Sequence, residues 1–346
     1  MVTKGYAAQT ASSPLLPFQF QRREVGANDV QIRILFCGVC HSDIHQVRDE
    51  WGGSIFPMVP GHEIVGQVTR VGSKVKKFKP GDHAGVGCFV DSCRTCASCL
   101  AGTEQYCEGG MVGTYNSYEK DGTTPTYGGY SSHIVVDQDY VLHIAAQPRL
   151  EAVAPLLCAG ITTYSPLRHW RVGAGQQVAV AGLGGLGHMW VKLAVSFGAE
   201  VTVLSSSAAK KSDAIRLGAH HFQVVSKGEG QQKMRGRFDF MLNTLSVPHH
   251  LGAYLGMLKT DGIMVMLGIP PESLPLSAFS LITKRKTLAG SMIGGIRETQ
   301  EMLDYCASHQ IVSDVELIAI QDIEKAYVRM LKGDVRYRFV IDMATL

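Results

Sequence analysis

Four of the nine cysteines lie close together in the chain. Cys93, Cys96 and Cys99 are each separated by two residues, and Cys107 follows after seven more. Short spacers let one loop surround a tetrahedral Zn²⁺ ion, and a shell of four thiolates leaves no position for a substrate. The spacing therefore predicts a structural zinc site. An iron–sulfur cluster and a set of free thiols are the alternative interpretations.

A second group of thiol and imidazole side chains is scattered along the chain. Cys40 begins the segment Cys-His-Ser-Asp-Ile-His, His62 and Glu63 are adjacent, and Cys158 comes much later. Three protein ligands around zinc leave an open position, in which the ion polarises a carbonyl oxygen or holds an alkoxide. Spacing alone also permits another interpretation, in which Cys158 is a small buried apolar residue and His62 a hydrogen-bonded loop histidine.

A run of glycines predicts a nucleotide-binding turn. The run Gly182-Leu183-Gly184-Gly185-Leu186-Gly187 follows the apolar segment Gln177–Ala181 and opens the segment Leu186–Phe197. Glycines permit a sharp turn and a close approach of the backbone to a pyrophosphate, whose charge is met by free N–H groups at a helix N-terminus. A plain glycine-rich turn is the alternative.

The residues after the next predicted strand bear on the choice of nucleotide. An acidic residue about 20 positions after the glycine run would hydrogen-bond the 2′-hydroxyl of NAD. Here the chain has Ser205, Ser206 and Ser207, followed by Lys210 and Lys211. Hydroxyls and an ammonium group can bind a 2′-phosphate, so the segment favours NADP. A solvated helix start with outward-facing lysines is the alternative.

These residues must be positioned by two kinds of structure. Short apolar runs separated by Gly and Pro in the first ~150 residues predict the strands of a β-rich domain. From Gln177 onward, strands alternate with helices, which predicts a doubly wound parallel sheet of the Rossmann type. The predicted fold class is therefore α/β, with a β-rich catalytic domain and a nucleotide domain.

The apolar runs place the individual elements. The predicted strands are Val30–Phe36, Glu63–Val71, His133–Val136, Gln177–Ala181, Glu200–Leu204, Phe238–Asn243, Gly262–Leu267, Thr287–Ala289 and Arg338–Asp342. The predicted helices are Leu186–Phe197, Ala208–Leu217, Pro248–Leu258, Arg297–Ser308 and Asp322–Leu331.

Composition argues against several classes of protein. Hydrophobic residues make up 45% and charged residues 18%, which is too apolar for a disordered chain. The net charge of +3 is too small for a nucleic-acid-binding or polybasic membrane surface. No apolar run reaches the ~18 to 20 residues of a membrane span, and the start lacks the layout of a signal peptide. Nine clustered cysteines suit metal binding in a reducing compartment, so we expect a cytoplasmic protein.

In this order, the motifs resemble those of the zinc-dependent medium-chain alcohol dehydrogenases, and most closely the NADP-dependent branch of the cinnamyl alcohol dehydrogenase type. The resemblance extends over nearly the whole chain, through residues 40–45, 61–66, 182–188, 205–207 and 334–342. It implies two zinc ions per chain. The implied catalytic ligands are Cys40, His62 and Cys158, with Glu63 as an exchangeable fourth ligand, and the implied structural ligands are Cys93, Cys96, Cys99 and Cys107.

The same resemblance implies further roles. Ser42 and His45 match proton-relay positions, with Ser42 also beside the cofactor, and Asp43 matches a carboxylate that supports the zinc ligands. The implied cofactor-binding residues are the glycine run together with Thr162, Ser205, Ser206, Lys210, Thr244, Gly268, Ser291, Met292 and Ile293.

The family also implies a domain order and a reaction. A catalytic zinc domain of residues 1–156 and 295–346 would be interrupted by an NADP-binding domain, residues 157–294, and members are usually dimers. The implied reaction is hydride transfer between NADPH and an aliphatic or aromatic aldehyde. A polyol dehydrogenase of the same superfamily and a non-catalytic NADPH-binding zinc protein are the alternatives.

The expected substrate range follows from a departure from the family. Plant cinnamyl enzymes carry aromatic residues in the region of Met111 and Val112 and at Met292. Loss of this stacking surface favours a general aldehyde reductase with an adaptable, methionine-containing pocket over an enzyme dedicated to lignin monomers.

Overall fold

The computed structural model describes residues 1–225 and 229–346. In chain order its strands are β1 (Val2–Ala7), β2 (Leu16–Gln21), β3 (Asp29–Gly38), β4 (Ile64–Val71), β5 (His83–Val86), β6 (Phe89–Asp91), β7 (Val112–Gly113), β8 (His133–Asp137), β9 (Leu142–His143), β10 (Gln177–Ala181), β11 (Glu200–Ser205), β12 (His221–Val224), β13 (Phe238–Asn243), β14 (Leu258–Met266), β15 (Thr287–Gly290), β16 (Val315–Ala319) and β17 (Arg338–Asp342).

The helices predicted at 208–217, 248–258 and 322–331 are shorter in the structure than predicted, and the described residues form ten α-helices. In chain order they are α1 (His41–Val47), α2 (Ala97–Ala101), α3 (Ala159–His169), α4 (Gly185–Ser196), α5 (Lys211–Arg216), α6 (Glu229–Lys233), α7 (Leu251–Gly256), α8 (Phe279–Ile282), α9 (Ile296–Ser308) and α10 (Ile323–Leu331). Within the described residues, no helix has the length and apolar character needed to cross a membrane.

The chain divides into two compact units, one formed by residues 1–161 with 294–346 and the other by residues 162–293. The predicted domains instead changed at residues 156/157 and 294/295. The difference arises at α3, whose first residues pack within the first unit. An ideal Cβ on Gly160 would lie 3.0 Å from Cβ of Leu156 and 3.2 Å from Sδ of Met302. Cys158 therefore lies in the first unit, and not in the nucleotide domain where the predicted boundaries put it.

The first unit is organised by β3. Its sheet has the strand order β16-β17-β3-β4-β5-β9, and β8 also pairs with β3. β3 runs antiparallel to β4, β8 and β17, and Val30 and Ile32 on it are fully buried. In this register Cys37 opposes Ile64, and Val340 opposes Gly38. Because Cys40 follows β3 and Glu63 precedes β4, sheet pairing brings both candidate ligand segments to one place.

The second unit is a six-stranded parallel sheet with the order β12-β11-β10-β13-β14-β15. The order reverses beside β10, and in open α/β sheets ligands bind at the carboxyl ends of the strands at such a switch point. α4 begins at Gly185, within the glycine run, and its Trp190 is completely buried. The glycine run therefore lies where a nucleotide-binding turn is expected.

The predicted fold class is confirmed. Strands β10, β13 and β17 have the predicted bounds, and the other predicted strands differ at their ends. The helix predicted over 248–258 is shorter because β14 already begins at Leu258. Eight strands, β1, β2, β5, β6, β7, β9, β12 and β16, have no counterpart among the predicted ranges. Of these, β12 and β16 are edge strands without a buried residue, so their sequences lack the apolar run by which the central strands were recognised.

We predict that Gly187→Ala destabilises the second unit. An ideal Cβ on Gly187 would lie 2.2 Å from the carbonyl oxygen of Gly182, so α4 would have to move away from β10. Such crowding costs about 1–3 kcal/mol of unfolding free energy. Thermal unfolding without coenzyme should show a lowered melting temperature. Gly184→Ala is the matched control, because its Cβ would meet no atom within 4 Å. Equal melting temperatures for the two variants would contradict the prediction.

Candidate active site

The scattered thiol and imidazole side chains come together in the first unit. The ligand atoms of Cys40, His62, Glu63 and Cys158 all lie within 4.8 Å of one another, and all four residues are buried. The two sulfur atoms are 4.0 Å apart, and a hydrogen bond from Cys158 lowers the pKa of the Cys40 thiol well below its usual value. An easily ionised thiol beside a second thiol and an imidazole is a donor set that suits zinc.

Asp43 fixes the geometry of two of these side chains. Cys40 precedes α1, and its backbone N–H donates to Oδ2 of Asp43 at 2.8 Å. Nδ1 of His62 donates to Oδ1 of Asp43 at 3.1 Å, which leaves Nε2 for a metal ion. The backbone N–H of Gly61 also donates to Oδ1, at 3.2 Å. One fully buried carboxylate thus holds the imidazole and the loop that carries it.

Tyr130 is a partner of Asp43 that the sequence analysis missed. Its hydroxyl donates to Oδ2 of Asp43 at 3.3 Å, and its side chain is fully buried. Its backbone N–H donates to the carbonyl oxygen of Pro60 at 2.9 Å, which ties it to the segment that ends in His62. No local spacing connects residues 43 and 130, so only the pair of glycines before Tyr130 could have drawn attention to this segment.

Glu63 forms a buried ion pair with Arg338. Oε1 of Glu63 is bound by Nη2 of Arg338, whereas Oε2 is buried and has no hydrogen-bond partner among the described residues. Burial raises the pKa of Glu63 to about 7, although the charge of Arg338 opposes this rise. A buried carboxylate with one unpartnered oxygen, close to two thiols and an imidazole, is what a site for a cation should contain. Arg338 lies in one of the motifs that carry the family resemblance, but no role was predicted for it.

Ser42 and His45, predicted to relay protons, lie on α1. The thiol of Cys40 donates to Oγ of Ser42 at 3.6 Å, which is long but within reach for sulfur. Nδ1 of His45 lies 2.5 Å from Oε2 of Glu50, and the ring of Trp51 stacks on that of His45 with centroids 4.9 Å apart. Glu50 and Trp51 were also missed. Their closeness in sequence to His45 was the signal available.

The four clustered cysteines also come together, as their spacing predicted. The sulfur atoms of Cys93, Cys96, Cys99 and Cys107 lie within 4.8 Å of one another, on a more exposed lobe than the first group. The backbone N–H of Cys96 points at Sγ of Cys93, at 3.3 Å. N–H groups of this kind, first that of Thr95, lower the pKa of Cys93 to about 6. The lobe therefore presents a thiolate where a metal ion needs one.

The second unit brings together part of the predicted nucleotide site. Gly182 has a φ of 100°, and a Cβ on it would lie 2.8 Å from Oγ1 of Thr244. A Cβ on Gly268 would lie 2.3 Å from the carbonyl oxygen of Leu245. Glycines at positions 182 and 268 are thus required by backbone conformation or by space. The turns after β10, β13 and β14 consequently lie side by side at the carboxyl ends of these parallel strands.

Most of the remaining predicted nucleotide-binding residues follow strands of the same sheet, and Thr162 lies in α3. Ser205 ends β11 and is buried, Ser206 is exposed, and Nζ of Lys210 donates to the carbonyl oxygen of Leu183 at 2.8 Å. The hydroxyl of Thr162, in α3, is buried without a partner among the described residues. Ser291, Met292 and Ile293 follow β15, the edge strand of the sheet.

Comparison with known proteins gives matches over the whole chain. Residues 26–146 match the family model "Alcohol dehydrogenase GroES-like domain", and residues 185–308 match "Zinc-binding dehydrogenase". NADP-dependent alcohol dehydrogenase C 1 of Mycolicibacterium smegmatis is 58% identical over 342 residues, which cover 99% of this chain and 98% of that protein. Aldehyde reductase YahK of Escherichia coli is 54% identical over 349 residues, 100% of this chain and 99% of that protein.

Two solved structures also match this chain over nearly its whole length. A cinnamyl alcohol dehydrogenase from Sorghum bicolor matches with a TM-score of 0.97 and 44% identity, covering 99% of this chain and 98% of that one. The cinnamyl alcohol dehydrogenase from Helicobacter pylori complexed with NADP(H) matches with a TM-score of 0.94 and 44% identity, covering 99% of both chains.

The fold and the thiol–imidazole centre define an oxidoreductase of the dehydrogenase class. The chain belongs to the zinc-binding alcohol dehydrogenase family, as both family models and the full-length relatives show. The resemblance stated from the sequence motifs is confirmed.

We predict that Cys96→Ser acts on folding and not on chemistry. A metal ion held by four thiolates contributes directly to folding free energy, so loss of one ligand should lower the melting temperature or solubility. Bound zinc, measured by elemental analysis, should fall while any soluble fraction retains turnover per active site. Ser98→Ala, two residues away in α2 and outside the thiol group, is the control. Unchanged stability and zinc content in Cys96→Ser would contradict the interpretation.

Proposed function

We propose that this protein is an NADP(H)-dependent zinc alcohol dehydrogenase that reduces aldehydes to primary alcohols. The observation that carries the proposal is the buried group of Cys40, His62 and Cys158 with a carboxylate beside it. Two thiols and one imidazole suit zinc and leave one coordination position open. Full-length relatives named alcohol dehydrogenase and aldehyde reductase support the same reaction class.

We infer that each chain binds two zinc ions in its first unit. Cys40, His62 and Cys158 would hold the catalytic ion. Glu63, which is paired with Arg338 in this structure, would be a further ligand if it left that pair. The second ion would be structural, and its ligands would be Cys93, Cys96, Cys99 and Cys107. Because four thiolates close the shell, this second ion has no direct part in the reaction.

The chain's own residues prepare the reaction and move the proton. When bound, zinc supplies positive charge that polarises a carbonyl oxygen, and NADPH supplies the hydride. Asp43 keeps Nε2 of His62 available as a ligand, and the burial of this carboxylate strengthens each of its hydrogen bonds. Ser42 lies beside Cys40, and Glu50 holds Nδ1 of His45, so Nε2 of His45 remains for proton exchange.

The nucleotide would bind at the switch point of the parallel sheet in the second unit. The N–H groups of the glycine run and the start of α4 would hold the pyrophosphate. Ser205, Ser206 and Lys210 would hold the 2′-phosphate, and the bond from Lys210 to the carbonyl oxygen of Leu183 keeps its ammonium group at the glycine run. The further lining residues would be Thr162, Thr244, Gly268, Ser291, Met292 and Ile293.

The proposed substrates are a broad range of aliphatic and aromatic aldehydes. A polyol dehydrogenase that prefers NAD would be expected to carry a carboxylate where this chain has Ser205. Initial rates on aldehydes and on polyols, each measured with NADP(H) and NAD(H), distinguish the two activities. A cytoplasmic location and a homodimer remain predictions.

We predict that Cys158→Ala abolishes turnover and removes one of two zinc ions per chain. The remaining thiol and imidazole bind the ion poorly, whereas NADPH binding should persist because other residues carry it. Elemental zinc analysis, aldehyde reduction and NADPH fluorescence titration provide the three measurements. Cys306→Ala is the matched control, since Cys306 is also buried but lies outside both thiol groups. Turnover within threefold of wild type in Cys158→Ala would refute the catalytic assignment.

We predict that Ser205→Asp combined with Lys210→Ala shifts coenzyme preference. The change removes an ammonium group and places a carboxylate beside the 2′-phosphate, so attraction is lost and repulsion is added. Hydrogen bonds to charged groups contribute about 1.5–3 kcal/mol, so the NADPH/NADH ratio of kcat/KM should fall at least about tenfold. The fall should be smaller at high salt, because salt screens exposed charges.

Lys211→Ala is the control for the coenzyme experiment, because Lys211 is an exposed neighbour of the same charge. It should leave the ratio of kcat/KM unchanged. An unchanged ratio in the double variant, or a preference of the wild type for NADH, would show that this segment is only a solvated helix start.

A further inference from the structure

The space above Gly38 is filled by the side chain of Glu63. Gly38 is the last residue of β3, and an ideal Cβ built on it would lie 1.9 Å from Oε2 of Glu63 and 2.9 Å from both its Cβ and its Cδ. Atoms cannot approach so closely, so no side chain at position 38 is compatible with this position of Glu63. Gly38 does not lie in the left-handed backbone region, which leaves space as the reason for a glycine here.

This space lies where the segments that carry Glu63 and Arg338 both pair with β3. Gly38 donates its N–H to the carbonyl oxygen of Glu63 at 2.9 Å and opposes Val340 on β17, the strand that also carries Arg338. Glu63 therefore extends across the end of β3 to reach Arg338. In this position Oε1 is paired, whereas Oε2 lies against Gly38 without a hydrogen-bond partner among the described residues.

A carboxylate displaced from this space has a polar destination close by. It is fully buried, so an unpaired charge would be costly, and its ligand atom is already within 4.8 Å of those of Cys40, His62 and Cys158. A zinc ion bound by these three residues would accept it as a fourth ligand. The carboxylate would then occupy the position that a substrate oxygen needs.

We propose that Gly38 is a positioning residue that keeps the fourth coordination position of the metal open. Its missing side chain provides the space in which Glu63 withdraws from the metal onto Arg338. The inference rests on the proposed function, in that it assumes a metal ion at Cys40, His62 and Cys158. A side chain at position 38 pushes Glu63 onto the metal and closes the site.

The test measures access to the metal and not only turnover. Wild type, Gly38→Ala, Glu63→Gln and the double variant Gly38→Ala with Glu63→Gln are loaded with Co²⁺, and imidazole is titrated while the visible d–d spectrum is recorded. Only a centre with an open position can bind imidazole, so the four-thiolate site should stay silent. Gly85→Ala is the control, because Gly85 lies in a buried strand of the same sheet and a Cβ there would meet only side-chain ends.

We expect Gly38→Ala to bind imidazole at least about tenfold more weakly than wild type, in the range seen when residues around metal ligands are changed. Its kcat should fall in parallel. The double variant should regain the imidazole affinity of Glu63→Gln, because an amide is a poor ligand even when it is displaced towards the metal. Wild-type imidazole affinity in Gly38→Ala, or an equal loss in the double variant, would overturn the inference.

Two further outcomes are distinguishable. If Gly38→Ala yields no soluble protein, Gly38→Ala combined with Glu63→Gly should restore it to the level of Glu63→Gly alone, since both the carboxylate and the Cβ of Glu63 are then removed from the crowded space; failure to do so would overturn the inference. If wild-type protein binds no metal at this centre, or if Cys158→Ala loses none, the proposed function itself fails.

Discussion

The pairing of β3 with its neighbours is the constraint on which the rest of the first unit depends. β4 lies on one side of its carboxyl end and β17 on the other, so residues far apart in sequence meet at Gly38. Cys40 follows this end, Glu63 immediately precedes β4, and Arg338 is the first residue of β17. A slip of one residue in either pairing would turn every side chain of the shifted strand to the opposite face of the sheet. The buried apolar face of β3 therefore also specifies the positions of the candidate metal ligands.

Burial makes the polar groups around this centre depend on one another. Asp43, Glu63 and Arg338 are almost entirely inaccessible to water, and an unpaired charge in such surroundings is costly. Asp43 is satisfied by donors from three segments of the chain, among them Tyr130 and His62. Glu63 is satisfied at one oxygen only. The same burial thus holds the imidazole in place and leaves one oxygen of Glu63 without a partner among the described residues.

The sequence predicted what depends on local spacing. The four clustered cysteines and the glycine run each lie within one short segment, so their chemistry could be recognised before the fold was known. Spacing alone had not decided whether Cys40, His62 and Cys158 bind one metal ion, and the family resemblance then implied that they do. The roles of Arg338 and Tyr130 were not predicted, because their partners, Glu63 and Asp43, are remote in sequence. Sheet pairing and buried hydrogen bonds bring these partners together only in the folded chain.

Edge strands show the corresponding limit for secondary structure. β12 and β16 each have one side without a strand partner in the described chain, and few of their residues are buried. A hydrophobic pattern records burial, so it cannot report a strand whose place is determined by backbone hydrogen bonds to one neighbour. The central strands β10 and β13 are buried along most of their length, and their bounds were predicted.

Glycine is required in this chain for two different physical reasons, and the sequence alone does not show which one applies at a given position. Gly182 needs its positive φ, which few other residues tolerate. Gly187 and Gly38 instead need space, the first for the backbone of Gly182 and the second for the carboxylate of Glu63. A glycine run signals a turn, and Gly187 is recognised as part of one. Gly38 stands alone at the end of a strand, where only the position of a side chain 25 residues further along shows why no Cβ can be accommodated.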